Sequence, residues 1–408
     1  MNRLARTVAT YGQISKTARL LIACRAARSL GQGALVADFA LYLSTLHWTA
    51  LEMGLMYAGG LLLGAMLTLL AGPLSDRMGR KPFLLGYSVA QALAALAALM
   101  SGRPEWLVPA AVVGAFGRGA NGAAGPFGPM EQAWLSADLG LEDYGPVFSL
   151  NAAVGYGGMA AGAGIGGLLT LWRPWLPAGL AYRPLFLLVL FGALVSLILL
   201  WRMQDTPGPV TAKREKVAAR ADPRGEWGLL LRLVGINALN GLGIGMIGPF
   251  MALWFALRFG EGPGAIAPVI AAGFLLAMLS ALGTGWLTRR LGMVRAVVLM
   301  RAVGLLLLVV LPFAPTYRLA AACYMLRAAC NRGTSGARQA VGLRLVRAER
   351  RGLAASLNSG STQIPRAIGP TIGGLLLDAH LLMLPLLLAA LLQAAYVVLY
   401  GATFRSVE

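Results

Sequence analysis

Apolar residues run along this chain in stretches of about 20, parted by short clusters of charged residues, glycine and proline. A stretch of that length, wound as an α-helix, crosses a hydrocarbon core of about 30 Å. The pattern predicts twelve such spans, at 18–46, 52–74, 82–100, 106–128, 146–171, 184–201, 228–257, 264–287, 293–313, 317–340, 352–377 and 382–401. Arg327, Arg332 and Arg338 interrupt the tenth.

Composition excludes a water-soluble reading. The chain is 58% hydrophobic and 12% charged, whereas soluble domains are about one quarter charged, so most of its apolar surface would lack cover in water. The expected fold class is an all-α polytopic membrane protein.

The net charge of +19 would point to nucleic acid if it lay on one face of a soluble domain. Its distribution follows the membrane instead. With the N-terminus on the cytoplasmic side, 22 Lys and Arg fall in the termini and cytoplasmic loops, 5 outside (Arg103, Arg173, Arg183, Arg258, Arg318) and 8 within spans. This bias predicts a multi-pass protein of the cytoplasmic (inner) membrane with both termini in the cytoplasm. Leu4, Val8 and Tyr11 recur at helical spacing among basic residues, which suits a short interfacial helix. The first apolar run is span-length, so no cleaved signal peptide is expected. Cys24, Cys323 and Cys330 fall in or beside spans and form neither a disulfide framework nor a metal site.

The spans repeat as two sets of six. SLGQGALVADFALYL (29–43) lies over GLGIGMIGPFMALWF (241–255) at an offset of 212, and GPLSDRMGRK (72–81) over GWLTRRLGMV (285–294) at 213. SLN at 149–151 and 356–358, and GAGIGG (162–167) with GPTIGG (369–374), repeat at 207. Four matches in order predict two pseudo-symmetric six-helix bundles. The expected organisation is an N-terminal segment 1–17, a first bundle 18–201, a Pro-rich basic linker 202–227, a second bundle 228–401 and a tail 402–408.

GPLSDRMGRK, with Gly72, Asp76, Arg77, Gly79, Arg80 and Lys81, matches the pattern G-x-L-[AS]-D-R-x-G-R-[RK]. It resembles the signature loop of the major facilitator superfamily between spans two and three. RGANGAA from Arg118 is similar to that family's span-four motif, with Asn121 where Gln is common. GMAAGAGIGG (158–167) resembles the span-five motif of bacterial drug/proton antiporters, with Ala163 where they carry proline; the proline appears in span eleven as GPTIGG. The resemblance covers nearly the whole chain. It implies two bundles around a central cavity that opens alternately to either side, and a monomer.

The resemblance also implies roles for the loop. Asp76 would latch onto the positive N-terminus of span eleven, an interaction of about 0.3–1 kcal/mol, rising to ~2 kcal/mol when partly buried. Arg80 would reach Glu131 at the cytoplasmic end of span four, while Arg77 and Lys81 would bond carboxylates or loop carbonyls. The repeat adds an expectation of its own. In the second half Arg289 stands at the Asp position, followed by Arg290 and Arg295, and the loop between spans four and five carries Asp138, Glu142 and Asp143 without Lys or Arg. Those acids are expected to bridge to the three arginines across the halves, as a network, because single exposed pairs contribute only about 0–1 kcal/mol.

Asp38 lies inside span one, where an ionisable group costs about 2.5–3.5 kcal/mol on insertion scales and is by default functional. A carboxyl there can exchange a proton as the cavity opens and closes, which makes Asp38 the candidate coupling residue with Arg118 as its modulator. The competing reading is a permanent structural ion pair of Asp38 with Arg118 or Arg327. Span arginines facing the cavity, including Arg327 and Arg366, would leave it electropositive and open to anionic substrates.

Tyr42, Asn151, Tyr156, Asn237, Asn240, Trp254, Tyr324, Asn358 and Gln363 fall on spans expected to line the cavity and suit an amphiphilic ligand, or serve as interhelical glue. Gly158, Gly162, Gly166 and Gly167, and Gly369, Pro370, Gly373 and Gly374, are expected where helices approach closely. Pro249 and Pro365 predict kinks.

No phosphate loop, paired catalytic carboxylates, nucleophile elbow or metal-ligand spacing is present. An enzyme, a bound cofactor and a nucleic-acid partner are therefore not expected. The expected function is secondary transport of a small amphiphile, by proton-coupled efflux. A lipid or lysolipid flippase, a uniporter or importer of an organic anion, and a transport-dead sensor are the alternatives.

Overall fold

The computed structural model describes residues 15–118, 127–137, 144–203, 225–338 and 351–404, and within them no side chains at 69, 71–78, 129, 132–133, 136–137, 144–146, 178, 225–227, 229–230 and 351–359. The first bundle contains α1 (Lys16–Thr45), α2 (Ala50–Met78), α3 (Arg80–Met100), α4 (Pro104–Gly114), α5 (Phe127–Ala137), α6 (Tyr144–Gly167) and α7 (Leu185–Trp201). The second contains α8 (Gly225–Ile247), α9 (Met251–Phe259), α10 (Pro263–Leu291), α11 (Met293–Val310), α12 (Tyr317–Gly333), α13 (Arg351–Asp378) and α14 (Leu384–Phe404). With α8 and α9 taken as the seventh span, their order is consistent with the twelve predicted spans, except that α5 lies almost wholly beyond the predicted fourth span at 106–128. Below, the near face is where α1 begins and the far face is where it ends.

Among the described residues seven helices are long and apolar enough to cross a membrane, or eight if bent α8 and α9 form one span. The helices α1, α12 and α13 are not among them; α12 has 17 residues, and the three carry Arg25, Arg28 and Asp38; Arg327 and Arg332; Arg366 and Asp378.

Two spans break. The fourth stops at Gly114, where Ala115 takes a left-handed φ of 60° and Gly117 one of 68°, and Arg118 follows. Irregular backbone inside a membrane protein persists only where protein or a cavity covers it. Here Gln91 Nε2 donates to Gly114 O at 3.2 Å and Tyr87 Oη to Val113 O at 3.3 Å. The seventh span bends by 47° between α8 and α9, across the segment that holds Pro249.

The near-face turn between α2 and α3 is a single residue, Gly79, at φ 88°, and that between α10 and α11 is Gly292 at φ 84°. The two are repeat partners, and L side chains avoid this region of backbone space. The structure extends α2 to Met78, four residues beyond the predicted end at 74, so Asp76 and Arg77 belong to its last turn. Charged side chains do not end a helix once it has left the apolar layer.

Each bundle has its own packing. The helix α1 lies against α6 and α7, and α8 against α13 and α14. The seam between halves is built from α2 against α13 and from α6 against α10. A Cβ at Gly158 or Gly162 would strike α1 at Ala26 and Ser29 or at Leu30, and one at Gly369 or Gly373 would strike the backbone of α8 at Gly245 and Met246. Gly374 meets Ala50 and Leu51 of α2 across the seam, with Pro370 O close to Gly54, and Gly167 lies near Ala267 and Pro268 of α10. Small residues thus set the close approach of helices within and between the halves.

Candidate functional site

Asp38 is fully buried on α1, and neither carboxylate oxygen has a hydrogen-bond partner among the described residues. It faces α6, where Gly166 leaves the space that Oδ2 fills. Leu35, Phe39, Tyr42, Tyr182, Leu185 and Phe186 complete a pocket too narrow to hold a water molecule. Among the described residues no cation pairs with it: Arg118 and Arg327 lie in other surroundings, so the ion pair of the competing reading is not formed in this conformation. An ionisable group inside a span is expected to face the central cavity; Asp38 points instead into the first bundle, between α1, α6 and α7.

The first bundle does contain a buried ion pair, at Glu131 but with a partner the sequence did not single out. Arg25 Nη1 of α1 donates to Glu131 Oε1 of α5 at 3.0 Å, and Asn151 Nδ2 of α6 donates to the same oxygen. Arg28, one turn on, donates to Ser88 Oγ at 3.5 Å and lies over the Phe127 ring at 3.8 Å. The expected partner of Glu131 is Arg80; its described partners are Arg25 and Asn151, and Arg80 is buried at the start of α3. The spacing of Arg25 and Arg28 on one helix face was the available signal. Lys81 Nζ donates to Trp201 O at 2.9 Å and Met203 O at 2.6 Å, satisfying carbonyls at the end of α7.

At the seam, Arg366 Nη2 of α13 donates to the backbone oxygen of Arg118 at 2.9 Å, and Arg118 Nη1 donates to Gly60 O of α2. Tyr156 Oη of α6 donates to Arg332 O of α12 at 3.4 Å, and the Arg332 guanidinium lies 4.1 Å from the Phe274 ring centre. Tyr57 and Phe250 meet edge to face at 5.8 Å between α2 and the bend of the seventh span.

The far face carries a latch that sequence reading missed. Asp378, the last residue of α13, accepts from Ala50 N at 2.7 Å and Leu51 N at 2.8 Å. Its carboxylate sits on the N-terminus of α2, where orphan N–H groups and the helix dipole favour negative charge. It inverts the arrangement expected of Asp76, in which the end of α2 would meet the start of α13. Asp76, Arg77 and Asn358 have side chains outside the described residues, as do Asp138, Glu142 and Asp143 entirely; Gly72 lies within α2. Arg289, Arg290 and Arg295 are exposed at the near face, Arg290 stacking over Trp286 at 4.5 Å.

Of the residues expected to line one cavity, the structure brings Tyr156 and Arg366 to the seam and disperses others. Tyr42 joins the aromatic cluster of the first bundle with Tyr182 and Phe186. Asn151 holds Glu131, and Asn240 accepts from Arg301 Nη1 at 3.1 Å inside the second bundle. Trp254 Nε1 donates to Leu382 O at 2.8 Å, and Tyr324 packs edge to face on Phe255. Arg327 and Asn237 are buried, and Gln363 is half-buried. These polar groups work as internal ties because a bundle interior offers them few other partners.

The family model for the Major Facilitator Superfamily matches residues 21–235. No curated protein is similar enough in sequence to match the chain. Solved structures share its fold at low identity. A point mutant of the nucleoside transporter NupG is 12% identical, with 95% of this chain and 100% of that one covered at a TM-score of 0.72. An auto-inhibited POT family peptide transporter is 13% identical, with 96% and 97% covered at 0.74. A bacterial homolog of the human lysosomal transporter Spinster, inward-facing and occupied, is 13% identical, with 95% and 96% covered at 0.64.

Proposed function

The chain belongs to the major facilitator superfamily, and from the site geometry we propose that it is a proton-coupled secondary transporter that exports a small amphiphile through the inner membrane by alternating access. One observation carries the coupling: Asp38 is a fully buried carboxyl with no partner for either oxygen among the described residues. A structural ion pair would show its cation, as Glu131 shows Arg25. An isolated carboxyl changes its surroundings when the helices around it move, and a change of surroundings moves its proton. Rocking of the halves would displace α6 through its seam with α10, and α6 carries Gly166 against Asp38. Proton uptake on one side and release on the other then follow the conformational cycle.

Arg118 has a different part. Its contacts with Gly60 and Arg366 place it at the seam, so it senses the approach of the halves and does not act on Asp38 directly. The near face is cytoplasmic, with both termini on it, and Asp76 with the loop arginines gates that side.

The test is proton release from purified, detergent-solubilised protein on adding octanoate, octyl phosphate or octyltrimethylammonium, comparing wild type with Asp38→Asn. Release that one of these triggers in the wild type and that vanishes in the variant supports proton coupling through Asp38. Binding without release in either protein overturns it and leaves a uniporter.

A further inference from the structure

We propose that Arg366 and Arg332 of the second half, with Arg118 of the first, form a binding site for the anionic head, a carboxylate or a phosphate monoester, of the amphiphile. The inference rests on the transporter reading and supplies its substrate class.

The second half gathers positive charge without answering it. From 262 to 348 the sequence holds ten arginines and no acid. Among the described residues no carboxylate pairs with Arg118, Arg301, Arg327, Arg332 or Arg366, and each has at least one buried nitrogen without a hydrogen-bond partner. Arg118 and Arg327 are only 6% and 9% exposed. Arg25 of the first half does have such a counter-charge, the Glu131 carboxylate at 3.0 Å.

Placement selects three of them. Arg366 reaches across the seam to the backbone of Arg118. Arg332 lies on the same seam, its carbonyl held by Tyr156 and its guanidinium on the Phe274 ring. Arg366 repels both Arg118 and Arg332, and Arg332 repels Arg327. Like charges brought together in an interior are held at a cost that a counter-charge removes. No described residue on these elements supplies one, and the anionic head of the proposed ligand would.

Guanidinium forks match carboxylate and phosphate oxygens two at a time, whereas a cationic amphiphile would add to the repulsion. The apolar tail has somewhere to lie, since Phe274, Met278 and Tyr156 surround the seam beside Gly157.

Equilibrium binding of three probes with one tail tests this in protein reconstituted into lipid nanodiscs: octanoate, octyl phosphate and octyltrimethylammonium, each with inorganic phosphate as competitor. The expected result is saturable binding of one or both anions but not of the ammonium, with affinity at least about tenfold lower in Arg366→Gln and Arg332→Gln, the loss that follows from removing one charge-assisted fork. Octanoate against octyl phosphate identifies the head, and competition by inorganic phosphate shows that the head alone is recognised. The exposed far-face control Arg258→Gln should bind as wild type, and Arg366→Lys, which keeps the charge, should fall between wild type and Gln. Ammonium binding as tight as the anions, or anion binding unchanged in both folded Gln variants, overturns the proposal. Counterflow of the bound probe in liposomes separates the two readings. Anion binding without counterflow removes the transporter and keeps the site; counterflow of the ammonium alone removes the site and keeps the transporter.

Discussion

Gly166 and Asp38 are matched in size: the space that a side chain at 166 would take is the space in which the carboxylate sits. Gly166→Ala is expected to displace the carboxyl and abolish substrate-triggered proton release. Gly164→Ala, two residues away with nothing within 4 Å of its added Cβ, should keep release intact and gain up to about 1 kcal/mol of helix propensity. Proton release and thermal denaturation of the two variants check this; equal behaviour would sink the pairing. The Arg25–Glu131 pair is structural, since both are buried with Asn151 holding the same oxygen. Arg25→Met alone should destabilise by about 3–5 kcal/mol, because it strands a buried carboxylate, and the double change Arg25→Met with Glu131→Gln should recover much of the loss. Thermal shift across that cycle measures it. Asp38 was legible in the sequence as an acid in an apolar span. Its orientation into the first bundle was not, because a twofold choice of helix face is decided by which neighbour leaves room.

Helix ends set the conformational balance. The α13–α2 junction ties the halves together at the far face through two charge-assisted hydrogen bonds from the first turn of α2 to Asp378. An acid at a helix N-terminus contributes up to ~2 kcal/mol in such partly buried settings, and about 1.4 kcal/mol is a factor of ten, so its loss shifts the equilibrium by up to about 30-fold. Asp378→Asn should therefore raise the labelling rate of a cysteine placed at the far end of the seam, while Asp378→Glu should restore part of the closure. A labelling rate unchanged in both would show that glycine packing at Gly374 and Gly54 closes the far face unaided. The single-residue turns at Gly79 and Gly292 belong to the same scale. Their glycines were visible in the repeat, and the left-handed φ explains why both halves keep them.

Across the whole molecule, charge is unevenly shared between two halves of one architecture. The first half buries two acids, Asp38 and Glu131, while the second buries arginines at the seam and exposes Arg289, Arg290 and Arg295 at the near face. If the acidic loop at 138–143 bridges to those arginines when the near face shuts, Arg289→Glu with Arg290→Glu should open that face. Faster labelling of a cysteine introduced near Ser149 would follow, since Ser149 lies against Gly336 across the halves. Only a network of such exposed pairs shifts the balance, so either change alone should have a small effect.

The order of the spans, the twofold repeat, the glycines of the two tight turns and the isolated acid in span one could all be read from the linear chain. They follow from local rules: the length needed to cross an apolar layer, and the conformations that glycine alone adopts cheaply. Which groups meet was settled only when the helices packed. Packing gave Glu131 to Arg25, sent Tyr42, Asn151 and Asn240 into the bundles, broke the fourth span beside Arg118 and set Asp378 on the start of α2. Partners such as Ala50 and Asp378, 328 residues apart in the chain, leave no periodic trace, because the electrostatic gain of a contact depends on the distance between groups in space.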